Sequence, residues 1–232
     1  MVAVLPLDLG TSARKSRPMS LDDPTALPDT ALTTAALAFV FGNESAALAH
    51  HSVRSYLFAQ LRARHIEAVD GRDFDGKLLF LACVLHDIGL SELGNGDHRF
   101  EVDGADAAAT FLTTQGLPSG DVDAVWEAIA LHTSPGIAER RGALCEMTRS
   151  GVAMDLGRDI DFVTDAQAAA IHRAYPRLSV ERALVDSIVK QVTARPEKGP
   201  RYSLPGDLAR ERALPPHVTG IEQGGVQSRW NR

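Results

Sequence analysis

The chain has 232 residues, 44% of them hydrophobic and 23% charged, which suffices to bury a full core and excludes collagen-like, mucin-like and wholly disordered classes. A net charge of −6 leaves no basic footprint for a phosphate backbone, so no nucleic-acid partner is expected. No stretch approaches the roughly 20 apolar residues of a membrane span, and Cys83 and Cys145 are too few for a disulfide framework, so no membrane association and a cytoplasmic location are expected.

Residues 1–28 mix Pro, Asp, Ser and short apolar groups, and read as an irregular arm without the apolar core and cleavage site of a signal peptide. The folded domain is expected over residues 29–194. An Ala-, Leu- and Phe-rich run predicts a helix over Thr30–Phe41, broken by Gly42-Asn43, and Glu44 opens a second that runs to about His65. Asp73 or Asp75 can cap a third helix, whose centre Leu78–Leu85 is apolar all round and therefore central; it ends at Gly89. Helical spacing then recurs over Asp103–Thr114, Asp121–His132, Ile137–Leu156, Asp165–Ala174 and Ser179–Val192. No alternating β-branched run interrupts them, so the fold class is all-α. Residues 195–232 carry Pro196, Gly199-Pro200, Pro205-Gly206, Pro215-Pro216 and Gly224-Gly225, and read as an irregular tail that either wraps the body or a partner copy in a homodimer, or is disordered.

The sharpest local feature is His86-Asp87 at the end of the most hydrophobic helix. An ionisable pair in that setting needs a partner to offset its desolvation, and a metal ion would be one. Adjacent helical residues point about 100° apart, so both can face one ion only if the last turn opens, for which Gly89 gives licence. Further ligands must come from a distance: His50 or His51 upstream, and one of Asp155, Asp159 or Asp161 downstream.

Taken in order, His51-Ser-Val-Arg54-Ser-Tyr-Leu-Phe58, His86-Asp-Ile-Gly89, Phe100-Glu101-Val-Asp-Gly-Ala, Leu131-His132-Thr and Gly151-Val-Ala-Met-Asp155-Leu-Gly157 resemble the HD-domain metalloenzymes, and more narrowly their cyanamide hydratase-like branch. The resemblance covers roughly His51 to Gly157. It implies an HD helical bundle with irregular tails and one divalent metal, Zn2+ first and Fe2+ or Mn2+ as alternatives, held by His51, His86, Asp87 and Asp155. Two-metal HD phosphodiesterases commonly carry Lys and His where this chain has Leu90 and Phe100, which argues against that subtype. The same resemblance puts His132 near the metal as a base. Arg54, one turn on from His51, reads as an orienter of Asp87 or a substrate contact, and Glu101 either as a group near substrate or ligands or as a plain partner of a helix N-terminus. The resemblance implies water addition to a small nitrile, cyanamide to urea, with Phe58, Leu90 and Phe100 lining a small pocket.

Two other functions stand beside this one, the first because phosphohydrolysis is the commonest activity of the HD proteins the chain resembles. A phosphohydrolase acting on nucleotides would need basic groups converging on the pocket, of which the sequence singles out only Arg54 and Arg99. A non-catalytic, metal-stabilised interaction domain would leave no open position on the metal. His50, His65, His98, His172 and His217 read as packing or surface residues.

Overall fold

The computed structural model describes residues 23–231; the arm expected over residues 1–28 therefore lies mostly outside the described residues. The fold is all-α. Helix α1 (Ala31–Asn43) starts where the Thr30 hydroxyl accepts from the Thr33 amide, and α2 (Ala46–His65) where the Ser45 hydroxyl accepts from Leu48. Glu44 thus lies between the two helices, ending the first rather than opening the second.

Helix α3 (Gly76–Leu85) begins at Asp75, whose carboxylate accepts from the Leu78 amide, and every residue from Leu78 to Leu85 is buried. A helix apolar on all faces can only be the axis of the core, and α1, α2, α5 and α6 pack around it. Beyond Asp87 the chain tightens into a 3₁₀ turn over Ile88–Leu90. Gly89 is needed there for close approach, since a Cβ at this position would collide with the Phe100 carbonyl oxygen of α4 (Phe100–Thr114). Its φ is not positive, so the left-handed freedom expected of it is not used.

Helix α5 (Ser119–Leu131) delivers His132 at its end. The continuous helix expected over Ile137–Leu156 is instead a 3₁₀ turn at Ala138–Arg140, a break at Gly142 with φ +98°, and α6 (Ala143–Asp155). Gly142 alone supplies that left-handed backbone without steric cost. Helix α6 lies directly on α2, because Gly151 presents no Cβ to the Ser55 carbonyl. Helices α7 (Asp165–Ala174) and α8 (Val180–Ala194) follow, α7 opening with a full capping box between Thr164 and Gln167.

The tail expected to be irregular contains two more helices, α9 (Leu204–Ala213) and α10 (Gly220–Gln227), both packed on α8. Ser203 caps the first, and Thr219 with Glu222 forms a capping box at the second. Past α10, Trp230 re-enters the core: it stacks on Phe58 at 5.4 Å and donates to the Met154 carbonyl at 2.8 Å. Lys198, 1% exposed, ties the start of this segment to α4 through Asp103 at 2.5 Å.

Candidate metal centre

Helices α2 and α3 bring His51, His86 and Asp87 together so that one donor atom of each lies within 4.8 Å of the others. All three are sealed from solvent, at 0%, 0% and 1% exposure. The Nδ1 of His86 lies 2.8 Å from the Cys83 carbonyl, which can only accept, so Nδ1 carries the proton and Nε2 the lone pair. His51 is fixed in the same tautomer by the Asp155 carboxylate, 2.6 Å from its Nδ1. Among the described residues, the two Nε2 atoms and both Asp87 oxygens have no hydrogen-bond partner. Four such orphans around one point would be costly to bury for their own sake, and a divalent cation is the group that satisfies them all. Burial pushes the Asp87 carboxyl up, but His86, His51 and His132 together outweigh it and hold the group well below the usual carboxylate range.

Asp155 stands elsewhere than the direct-ligand role implies. Arg54 grips it with two prongs, Nε to Oδ1 and Nη2 to Oδ2, both 2.7 Å, and Arg177 adds a bond to its carbonyl at 2.8 Å. Its carboxylate faces the Nδ1 edge of His51, while Nε2 faces Asp87 at 3.8 Å. The arrangement is therefore Arg54 to Asp155 to His51, a chain that orients one imidazole. Arg54, expected to orient Asp87 or touch substrate, does neither here: it is 0% exposed and its remaining nitrogen caps the Tyr175 and Pro176 carbonyls. His50 turns away toward Pro176, and Asp159 and Asp161 are exposed loop carboxylates.

His132 comes from the opposite side, its ring centroid 4.8 Å from that of His86 and 5.6 Å from that of Phe100. Nδ1 donates to the Ile129 carbonyl at 2.6 Å, which leaves the lone pair on Nε2, for which the described residues provide no partner. Burial, with His86 adding to it, pushes the pKa of His132 down to about 4, so the ring is neutral at pH 7 with its lone pair on Nε2. Glu101 is buried beneath it and occupied: its carboxylate accepts from Thr133 at 2.6 Å and from Arg99 at 2.5 Å. It therefore braces the loop after His132 and faces neither His51, His86 nor Asp87.

A cavity of about 340 Å³ opens beside His132 and Thr133. Its near wall is one face of α6, Arg149, Val152 and Ala153, continued past the helix end by Leu156, Gly157 and Arg158; its far wall is Leu204 of α9 and Gly220, Ile221 and Gly224 of α10. The three expected pocket residues lie elsewhere. Phe58 is 0% exposed under Trp230, and Leu90 and Phe100 pack into a small apolar cluster with Leu184 and Ile188. Phe100 keeps only an indirect role, as the wall behind His132. The near wall was missed although its positions follow helical i, i+3, i+4, i+7 spacing, because nothing in the sequence says which face of α6 meets an opening. Glu44 was missed too: its Oε1 is buried without a partner among the described residues, and burial, with Asp87 adding to it, pushes its carboxyl well up.

An all-helical bundle whose core axis ends in a His-Asp pair, facing a third donor from the preceding helix, defines a class of metal-centred proteins. The chain matches the HD domain family over residues 48–186, more than half of its length, and belongs to that family. HD domains commonly bind divalent metals and act as metal-dependent hydrolases. Among curated proteins, none matches this chain. The match contains His51, His86, Asp87, His132 and Asp155, while α9 and α10 lie beyond it.

Proposed function

We propose that the protein is a metal-dependent hydrolase of an anionic substrate, most simply a phosphate ester. The observation that carries this reading is the cavity beside His132 with Arg149 and Arg158 on its wall. Arg158 is exposed and its guanidinium has no partner among the described residues; Arg149 is half-buried and shares one nitrogen with Glu139 at 3.1 Å. Two guanidiniums at a mostly apolar cavity are the chemistry of phosphate or carboxylate recognition.

His51, His86 and Asp87 would hold the cation, and two imidazoles with a carboxylate suit Zn2+, Fe2+ or Mn2+. When bound, the ion supplies Lewis acidity, acidifying water and polarising the electrophile. The neutral His132 then accepts the proton of the attacking water at Nε2, with Glu101 and Thr133 holding the loop that follows it. Asp155 and Arg54 keep the lone pair of His51 directed at the ion by pinning Nδ1.

Hydration of a small nitrile such as cyanamide is the second reading. Its support is the closure of the centre: the three donors are at most 1% exposed, and none of them lines the cavity, whose lining residue His132 lies 4.8 Å from His86, ring to ring. Against it stands the cavity itself, whose volume falls within the range of about 300–1,000 Å³ typical of larger ligands.

The test is metal analysis of the purified protein, followed by incubation with p-nitrophenyl phosphate, nucleoside monophosphates and cyanamide, with phosphate and urea measured separately. Phosphate release that disappears in His86→Ala, and whose KM rises at least about tenfold in Arg158→Ala, is the expected result. Urea without phosphate would establish the second reading. Bound metal with neither product would point to a metal-stabilised interaction domain.

A further inference from the structure

We propose that the cavity between α6 and the C-terminal helices holds an apolar body attached to the substrate's anionic group, and that Gly224 of α10 sets how large that body can be. The inference rests on the hydrolase reading for the reaction, and on the cavity alone for the binding. Between the arginines the walls are aliphatic: Val152, Ala153 and Leu156 face Leu204 and Ile221. Such a surface offers a sugar or a peptide little to bond with and offers an alkyl or aryl group a place out of water. At one end the cavity reaches His132, which is only 4% exposed and whose Nε2 has no partner among the described residues. A molecule in the cavity therefore has a polar end at the chemistry and an apolar remainder.

The glycines of α10 sharpen this. Glycine in a helix is disfavoured relative to alanine and usually answers to a close neighbour. Gly225 has such a reason, because a Cβ there would press into the Glu181 side chain. Gly224, which lines the cavity, has none: a Cβ built on it meets no atom within 4 Å. Gly220 at the head of α10 is nearly as free, with only Glu211 Oε2 at 3.7 Å. What the missing side chain at Gly224 preserves is the space itself. Because α9 and α10 lie outside the HD match, this wall belongs to the chain's own extension rather than to the shared catalytic domain.

The experiment is calorimetric titration of the metal-loaded full chain with non-hydrolysable methylphosphonate and hexylphosphonate, with heptanoate and hexanol as further arms. Wild type is expected to bind hexylphosphonate at least about tenfold tighter than methylphosphonate, and hexanol far more weakly than either alkyl anion. Gly224→Leu fills the space and should bring the hexyl-to-methyl ratio close to one. Gly224→Ala, which favours the helix, should lower the ratio by a smaller factor while circular dichroism and Tm show the fold retained. A wild-type ratio near one, or a ratio unmoved in both variants, overturns the proposal. Heptanoate binding as tightly as hexylphosphonate, with the same response to both variants, would keep the subsite and assign its substrate to carboxylates. Loss of phosphate-ester turnover with the ratio intact would sink the reaction and leave the subsite standing.

Discussion

Arg54 and Asp155 are both sealed from water and joined by two short charge-assisted bonds. Burial raises the Asp155 carboxyl, and Arg54 and His51 more than compensate, holding it far below its ordinary range. A pair of this kind adds little net stability while intact, yet removing one partner strands a buried charge. Arg54→Met should therefore cost about 3–5 kcal/mol in chemical denaturation. The same change unpins His51, so metal affinity should fall by about 10- to 100-fold in the folded fraction. A variant that kept wild-type stability and metal affinity but lost substrate binding would return Arg54 to the substrate-contact role its place in the motif first implied. His51 and Asp155 are 104 residues apart in sequence, and no periodicity links them. Their neighbourhood was legible only through the order of motifs. That order named the residues at the centre but not which atom of Asp155 faces which edge of the imidazole.

At the scale of elements, the helices whose apolar stripe faces the core were readable, and those held by caps and bridges were not. The eight apolar residues Leu78–Leu85 announced α3, and Asp75 announced its start. By contrast α9 and α10 bury few residues and are dense in Gly and Pro, which hid them. A Thr-x-x-Glu capping box at Thr219–Glu222 was present in the sequence, and it was the one signal that could have revealed α10. The C-terminal segment is anchored past its last helix by Trp230, whose indole stacks on Phe58 and bonds to Met154, one residue before Asp155. Arg229 assists, donating to the Ile160 and Val163 carbonyls. Truncating the indole removes a large buried side chain and leaves the Met154 carbonyl without this donor, so Trp230→Ala should lose about 3–5 kcal/mol in urea denaturation. Proteolysis should become faster within residues 199–228 before it does in α2 or α3, because the anchor of that segment is gone. A loss under about 1 kcal/mol with unchanged proteolysis would mean that the segment is held by Lys198 and the α8 contacts instead.

The whole molecule is tuned to near-neutral pH by groups buried in the form they carry there. On the acid side, burial pushes His172 down to about 4, so its contribution is present above the unfolded value of about 6.5 and fades as pH falls. On the alkaline side Tyr56, 2% exposed between α2 and α3 and edge-on to Phe80, is pushed up to about 12, burial being the largest cause. Its neutral form is favoured in the folded chain by burial, although Gln60, donating to the phenol oxygen at 2.7 Å, pulls the value part of the way back. The contribution is therefore complete below the unfolded value of about 10, and it declines as pH rises from there through 12. Two pK units correspond to roughly 2–3 kcal/mol. Burial likewise pushes the Cys145 thiol up to about 11 and Cys83 higher still, so thiol ionisation starts the decline before the phenol continues it. Tyr56→Phe removes one titrating group at little change in shape. Its urea midpoint should track wild type to about pH 9 and then fall less steeply between about 10 and 12. Parallel midpoints across that interval would show that the phenol ionises alike in the folded and unfolded chains, and that the alkaline limit is set by the thiols alone.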